Sequence, residues 1–156
     1  MPPTPSSSMS RYAVEAAALE AEAAESGPDT AHLLVEAAHQ WRLAGDAERA
    51  QGLLDGVIAG GGEIGCFARA ELAGMLLAAG AHEAAFAELA TLAADPDCGD
   101  GPSRVVAELL TDHGALSAAV VWYDRAAPAA DPFVLIHRRR VRKRLGLEPD
   151  QTDLLV

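Results

Sequence analysis

"WRLAGDAERAQGLL" occupies residues 41 to 54 and returns in altered form as "LLAAGAHEAAFAEL" (76 to 89) and "LLTDHGALSAAVVWY" (109 to 123). Gly45, Gly80 and Gly114 anchor the echo, 35 and 34 residues apart. Five positions after each stand Ala50, Ala85 and Ala119; nine after, Leu54, Leu89 and Tyr123; twelve after, Val57, Leu92 and Ala126. Four positions before come Trp41, Leu76 and Leu110; seven before, Ala38, Ala73 and Ala107; eight before, Ala37, Leu72 and Val106.

Apolar residues eight, seven and four places ahead of the glycine share one stripe of a helix, and those five, nine and twelve places after it form the stripe of a second. The glycine between them supplies the left-handed residue that ends the first helix. Each unit is a helical hairpin whose apolar face is too large to hide alone, so neighbouring hairpins must stack to cover it.

This pattern resembles the tetratricopeptide repeat: an aromatic residue or Leu before the turn glycine, then Ala and a large apolar residue, with Pro96 and Pro132 closing units and Pro28 ahead of the first. The resemblance covers residues 29 to about 132. The first unit departs from it by ending in "GGG" (60 to 62), which loosens the expected junction with the second. The resemblance implies an all-α fold of antiparallel hairpins stacked as a short right-handed α-solenoid, with capping helices at both ends. Helices are predicted near 10–26, 30–44, 46–59, 63–79, 81–94, 102–113, 115–127 and 132–145. The corresponding segments are a disordered tail (1–9), an N-terminal cap (10–26), repeats at 29–62, 63–97 and 100–131, and a basic C-terminal cap (132–156). Residues 10–156 form the single expected domain.

The bulk numbers agree with a helical fold. The chain has 156 residues, half of them apolar but only 4% aromatic, so its core is built from Ala, Leu and Val. Such a composition disfavours a strand-rich fold. No apolar run reaches the roughly 20 residues that span a bilayer, and "MPPTPSSSMS" lacks the basic and apolar blocks of a secretion signal. Two cysteines, Cys66 and Cys98, make no disulfide scaffold. A reduced, cytoplasmic protein is the expectation.

The motifs that suggest chemistry are incomplete. "GGGEIG" (60 to 65) fits a dinucleotide fingerprint only if a strand precedes it, and "AQGLLDGVIA" reads as a helix instead. "HEAAF" (82 to 86) has Phe86 where a zinc-protease helix needs its second His. His32, Glu36 and His39 share a helical face with metal-ligand spacing, which is more often a solvated surface. "DPDCGD" (95 to 100) lacks the later ligands of a calcium loop. No catalytic residue, cofactor or metal is therefore expected, and the protein reads as no enzyme.

Two surfaces remain. By the resemblance, the first helix of each hairpin lines a concave groove for a peptide or a partner's helix. His32, His39 and Arg42 would face it from the first unit, Phe67, Ala70 and Leu77 from the second, and Arg104, Glu108 and Thr111 from the third. Val35, His39 and Arg42 do not reproduce the family's clamp for a C-terminal carboxylate, so an amphipathic peptide suits this groove better. Leu77 is equally readable as packing between repeats.

The other surface is "RRRVRKR" (138 to 144), which holds six of the twelve Lys and Arg residues. The whole chain carries −11, so the remainder carries −17. An apolar seam of Val134, His137, Val141 and Leu145 is expected to turn Arg139, Arg140, Arg142 and Lys143 outward, with Arg138 and Arg144 at its margins. This helix reads as a solvated cap or as a docking site for an acidic partner protein. Nucleic acid comes third, because the acidic body repels phosphate and no stacking aromatics adjoin the basic residues. The expected function is a noncatalytic protein-interaction adaptor; the alternative is a nucleic-acid-associated regulator using the basic helix.

Overall fold

Each echoing glycine ends a helix in the left-handed conformation, with φ of 89° at Gly45, 78° at Gly80 and 75° at Gly114. The residue after each glycine donates its N–H five residues back, from Asp46 to Trp41, Ala81 to Leu76 and Ala115 to Leu110. The glycine itself donates three residues back, to Arg42, Leu77 and Thr111. This paired closure satisfies carbonyls that a helix end otherwise leaves without partners. A fourth turn has the same geometry: Gly146 at φ 71°, with Gly146 bonded to Lys143 and Leu147 to Arg142.

The computed structural model describes residues 7–129 and 131–156. Eight α-helices occur among these residues: α1 Ser7–Glu25, α2 Ala31–Leu43, α3 Ala47–Gly60, α4 Gly62–Ala78, α5 His82–Ala94, α6 Asp100–Asp112, α7 Leu116–Ala126 and α8 Pro132–Arg144. Short 3-10 turns follow at Ala127–Ala129 and Asp153–Leu155, and no strand occurs among the described residues. Helix α1 begins at Ser7, so of the expected N-terminal tail only residues 1–6 lie outside the described residues. Helix α6 starts two residues before Pro102, which sits in its first turn, where a missing N–H leaves no bond unmade. No helix among the described residues is long and apolar enough to cross a membrane.

The chain forms two compact units, Met1–Glu88 and Leu89–Val156. In the first, α1 packs on α2, α2 on α3 and α3 on α4, and α2 also lies beside α4. Its core is Ala16, Ala38, Trp41, Ala50, Leu54, Val57, Ala68 and Leu72. Trp41 fixes α1 from within: its indole N–H donates to Glu20, which also accepts from Arg49 at 3.1 Å, and the Arg49 guanidinium lies 4.2 Å above the Trp41 ring. Gly61 alone joins α3 to α4. A Cβ on Gly65 would already touch the Val57 and Ile58 carbonyls at 3.6 Å, so the helices run close at this tight junction.

In the second unit α6 packs on α7 and α7 on α8. Arg125 of α7 donates to the Ala93 carbonyl at 2.6 Å, which supplies the last turn of α5 with the cation its own sequence lacks. Helix α8 opens on Asp131, whose carboxylate accepts from the Phe133 N–H at 2.8 Å, with Pro132 in the first turn.

Every residue in the repeating columns is buried except Leu76, which is half-buried. The columns read from the three glycines are therefore the core-facing positions of these helices. Small Ala50, Ala85 and Ala119 have no exposed surface, as close helix approach requires.

Candidate interaction surfaces

Helix α2 buries Ala37, Ala38 and Trp41 and so turns His32, Val35, Glu36 and His39 to its opposite side. Helix α4 buries two stripes, Gly65–Ala68–Leu72 and Cys66–Ala70–Ala73–Leu77, which leaves a third face of Ile64, Phe67 and Glu71. The two free faces meet as the walls of a groove of about 370 Å³, lined by His32, Val35, Glu36, His39, Gln40, Ile64, Phe67 and Glu71. His32 and Ile64 also line an adjoining cavity of about 700 Å³ at the turn end, where Gly56, Gly60 and Gly61 leave room beside Leu34 and Val57.

Of the residues expected to face a partner from the first two hairpins, His32, His39 and Phe67 share this groove. Arg42 stands at its edge, 3.2 Å from His39 Nδ1. Leu77 does not join them. It is buried, with Ala70, on a stripe about a quarter turn from the Phe67 face. Sequence reasoning missed Ile64 and Glu71, although both sit one turn either side of Phe67. His32, Glu36 and His39 line the groove together, but no three potential metal-binding side chains converge among the described residues.

The third-unit candidates lie in the second compact unit, where Arg104 and Glu108 engage each other. Arg104 pairs with Glu108 at 3.5 Å and Asp131 at 3.6 Å and lies over the Phe133 ring. Thr111 donates to its own helix at Ala107.

The basic helix requires the largest correction. Its buried residues are Val134, Leu135, Arg138 and Val141. Arg138 is only 4% exposed rather than marginal. Its guanidinium donates to Asp124 Oδ1 at 2.6 Å, to Asp153 Oδ1 at 2.6 Å and to both oxygens of Asp150. Arg142 does not point into solvent either. It donates to Asp153 Oδ2 at 3.0 Å and to the Glu148 carbonyl at 2.7 Å. Arg139, though exposed, reaches the Val156 carbonyl. His137 leaves the expected seam and stacks on Phe133 at 3.9 Å. Only Arg140, Lys143 and Arg144 of the basic run keep their charge clear of such contacts among the described residues.

No protein-family model, curated protein or solved structure matches the chain. The physical reason for the buried arginine therefore comes from this chain alone. Counted back from Gly146, Arg138 takes the place of Ala37, Leu72 and Val106, and Arg142 that of Trp41, Leu76 and Leu110. Helix α8 keeps the register of a first helix while all three of its repeat columns carry cations, Arg139 standing in the place of Ala38, Ala73 and Ala107. Arg139 stays exposed, whereas Arg138 and Arg142 turn inward. The tail folds back to neutralise them.

The Arg138 guanidinium, bonded to Asp150, holds that carboxyl well below the usual carboxylate range, and Asp150 in turn raises Arg138 further above its ordinary value. A carboxyl whose folded value is depressed stabilises the fold fully above its unfolded value, near 4, and loses that contribution as pH falls through the folded value. Thermal denaturation of the wild type should thus fall more steeply below about pH 4 than that of Asp150→Asn. Coincident pH profiles for the two proteins would show that this carboxylate is not engaged.

Proposed function

We propose that this protein is a noncatalytic interaction module of the tetratricopeptide-like α-solenoid kind, an adaptor that holds an amphipathic peptide or helix against the α2/α4 face. The groove carries this reading. Apolar Val35, Ile64 and Phe67 are flanked by His32, Glu36, His39 and Glu71, the mixture that suits a helix with one apolar side. The burial of the repeat columns and the recurrent glycine turns support the repeat reading.

The test is selection of helical peptides from a displayed random library on the intact protein, followed by titration calorimetry of the selected sequences. Peptides carrying apolar residues at helical spacing should emerge, and Phe67→Ala should weaken them by about tenfold or more, as loss of a central aromatic anchor does. Selected peptides that bind Phe67→Ala and Val35→Glu as tightly as wild type would place recognition elsewhere.

A further inference from the structure

The outer face of α8 matches the α4 wall of the groove in both chemistry and register. Phe133 and Ile136 are large apolar side chains left 41% and 40% exposed, and Arg140 follows on the same face. They stand at positions i, i+3 and i+7 of their helix. Ile64, Phe67 and Glu71 stand at the same three spacings on α4. At 1.5 Å per residue, each set places its second member about 4.5 Å and its third about 10.5 Å along the axis. A parallel alignment of the two helices therefore sets Phe133 and Ile136 against Ile64 and Phe67 and brings Arg140 to Glu71.

Neither Arg140 nor Glu71 has an ion-pair partner among the described residues, unlike Glu20, Glu88 and Glu108, which pair with Arg49, Arg69 and Arg104. Glu36 on the α2 wall and Lys143 one turn beyond Arg140 add charge of the same complementary signs. Resting on the groove reading above, we infer that the α2/α4 groove receives α8 of a second copy of this chain. The contact joins two different patches, so it closes into a pair only where two such contacts form together and otherwise extends. A single helix in a groove is a small interface, and the association is correspondingly weak.

Sedimentation of the full-length protein tests this. The weight-average mass of the wild type should rise with concentration through the micromolar-to-millimolar range, and added salt should suppress the rise. Arg140→Glu and Glu71→Lys, both at positions outside the core, should each weaken association about tenfold or more. Mixed in equal amounts, the two variants should associate again, because the reversed helix of one then meets the reversed groove of the other. A wild type that stays monomeric at low salt up to millimolar concentration overturns the inference, as does a mixture that fails to recover. If peptide binding still depends on Phe67 in that case, the groove remains a recognition surface and its occupant is another protein. If neither self-association nor peptide binding depends on groove residues, both readings fall.

Discussion

Arg138→Ala is expected to lower the stability of the second unit by about 3–5 kcal/mol, the cost of leaving a buried charge without its partner. The carboxylate at risk is Asp153, whose side chain is 1% exposed. Asp124 and Asp150 are far more accessible, at 49% and 38%, and regain water when the guanidinium is removed. Arg142 still reaches Asp153 at 3.0 Å, which places the loss toward the lower end of the range. The corresponding fall in Tm is roughly 6–20 °C for a chain of this length. Hydrogen exchange should show the amides of Asp150, Thr152 and Asp153 exposed first, since all three are closed only by carboxylates of this network. Arg138→Met combined with Asp153→Leu should recover part of the loss: an apolar pair removes both desolvation penalties, while Arg142 and the Asp150 N–H lose Asp153 as an acceptor. A change below about 1 kcal/mol in the single variant would mean that the network behaves as an exposed ion pair.

That network was the part of the fold the sequence concealed. Composition marks "RRRVRKR" as a solvated run, because six cations without an acid seldom enter a core. The glycine register says otherwise, since Gly146 ends α8 as Gly45, Gly80 and Gly114 end their helices, and eight residues before it lies Arg138. Register places Arg138 and Arg142 correctly because it reports backbone geometry, whereas composition reports only an average tendency. Arg139, seven residues before Gly146, departs from it and stays exposed. The partners themselves, Asp124 on α7 and Asp150 and Asp153 in the tail, lie 12 to 15 residues away and give no local signal.

The groove was legible to the extent that helical spacing determines which side chains share a face. His32, His39 and Phe67 were expected on the strength of the tetratricopeptide resemblance. They line one groove because burial of Ala37, Ala38 and Trp41 on α2 and of two stripes on α4 leaves those faces free. Leu77 failed because a helix buried on two sides leaves a face only about a third of its circumference wide. Arg104 and Glu108, one turn apart on α6, pair with each other, which the i,i+4 rule allows and the groove reading ignored.

Tyr123→Ala should be the most damaging single truncation of the apolar core, at about 3–5 kcal/mol. Tyr123 occupies the column held by Leu54 and Leu89 in the other two hairpins, and its side chain has no exposed surface. Its phenol lies beside Thr111, and burial raises it above its ordinary value, which favours the neutral form in the folded state. Truncation leaves a cavity beside Thr111 in a core where Ala107, Leu110 and Ala119 are already fully buried. Tyr123→Leu restores the residue type of the other hairpins and keeps most of the volume, so its cost should stay near 1–2 kcal/mol. Urea unfolding separates the cases: the midpoint should drop sharply for Ala and modestly for Leu, with the slope unchanged. Equal losses for both would mean that the hydroxyl, and not the volume filling the repeat column, holds this position in place.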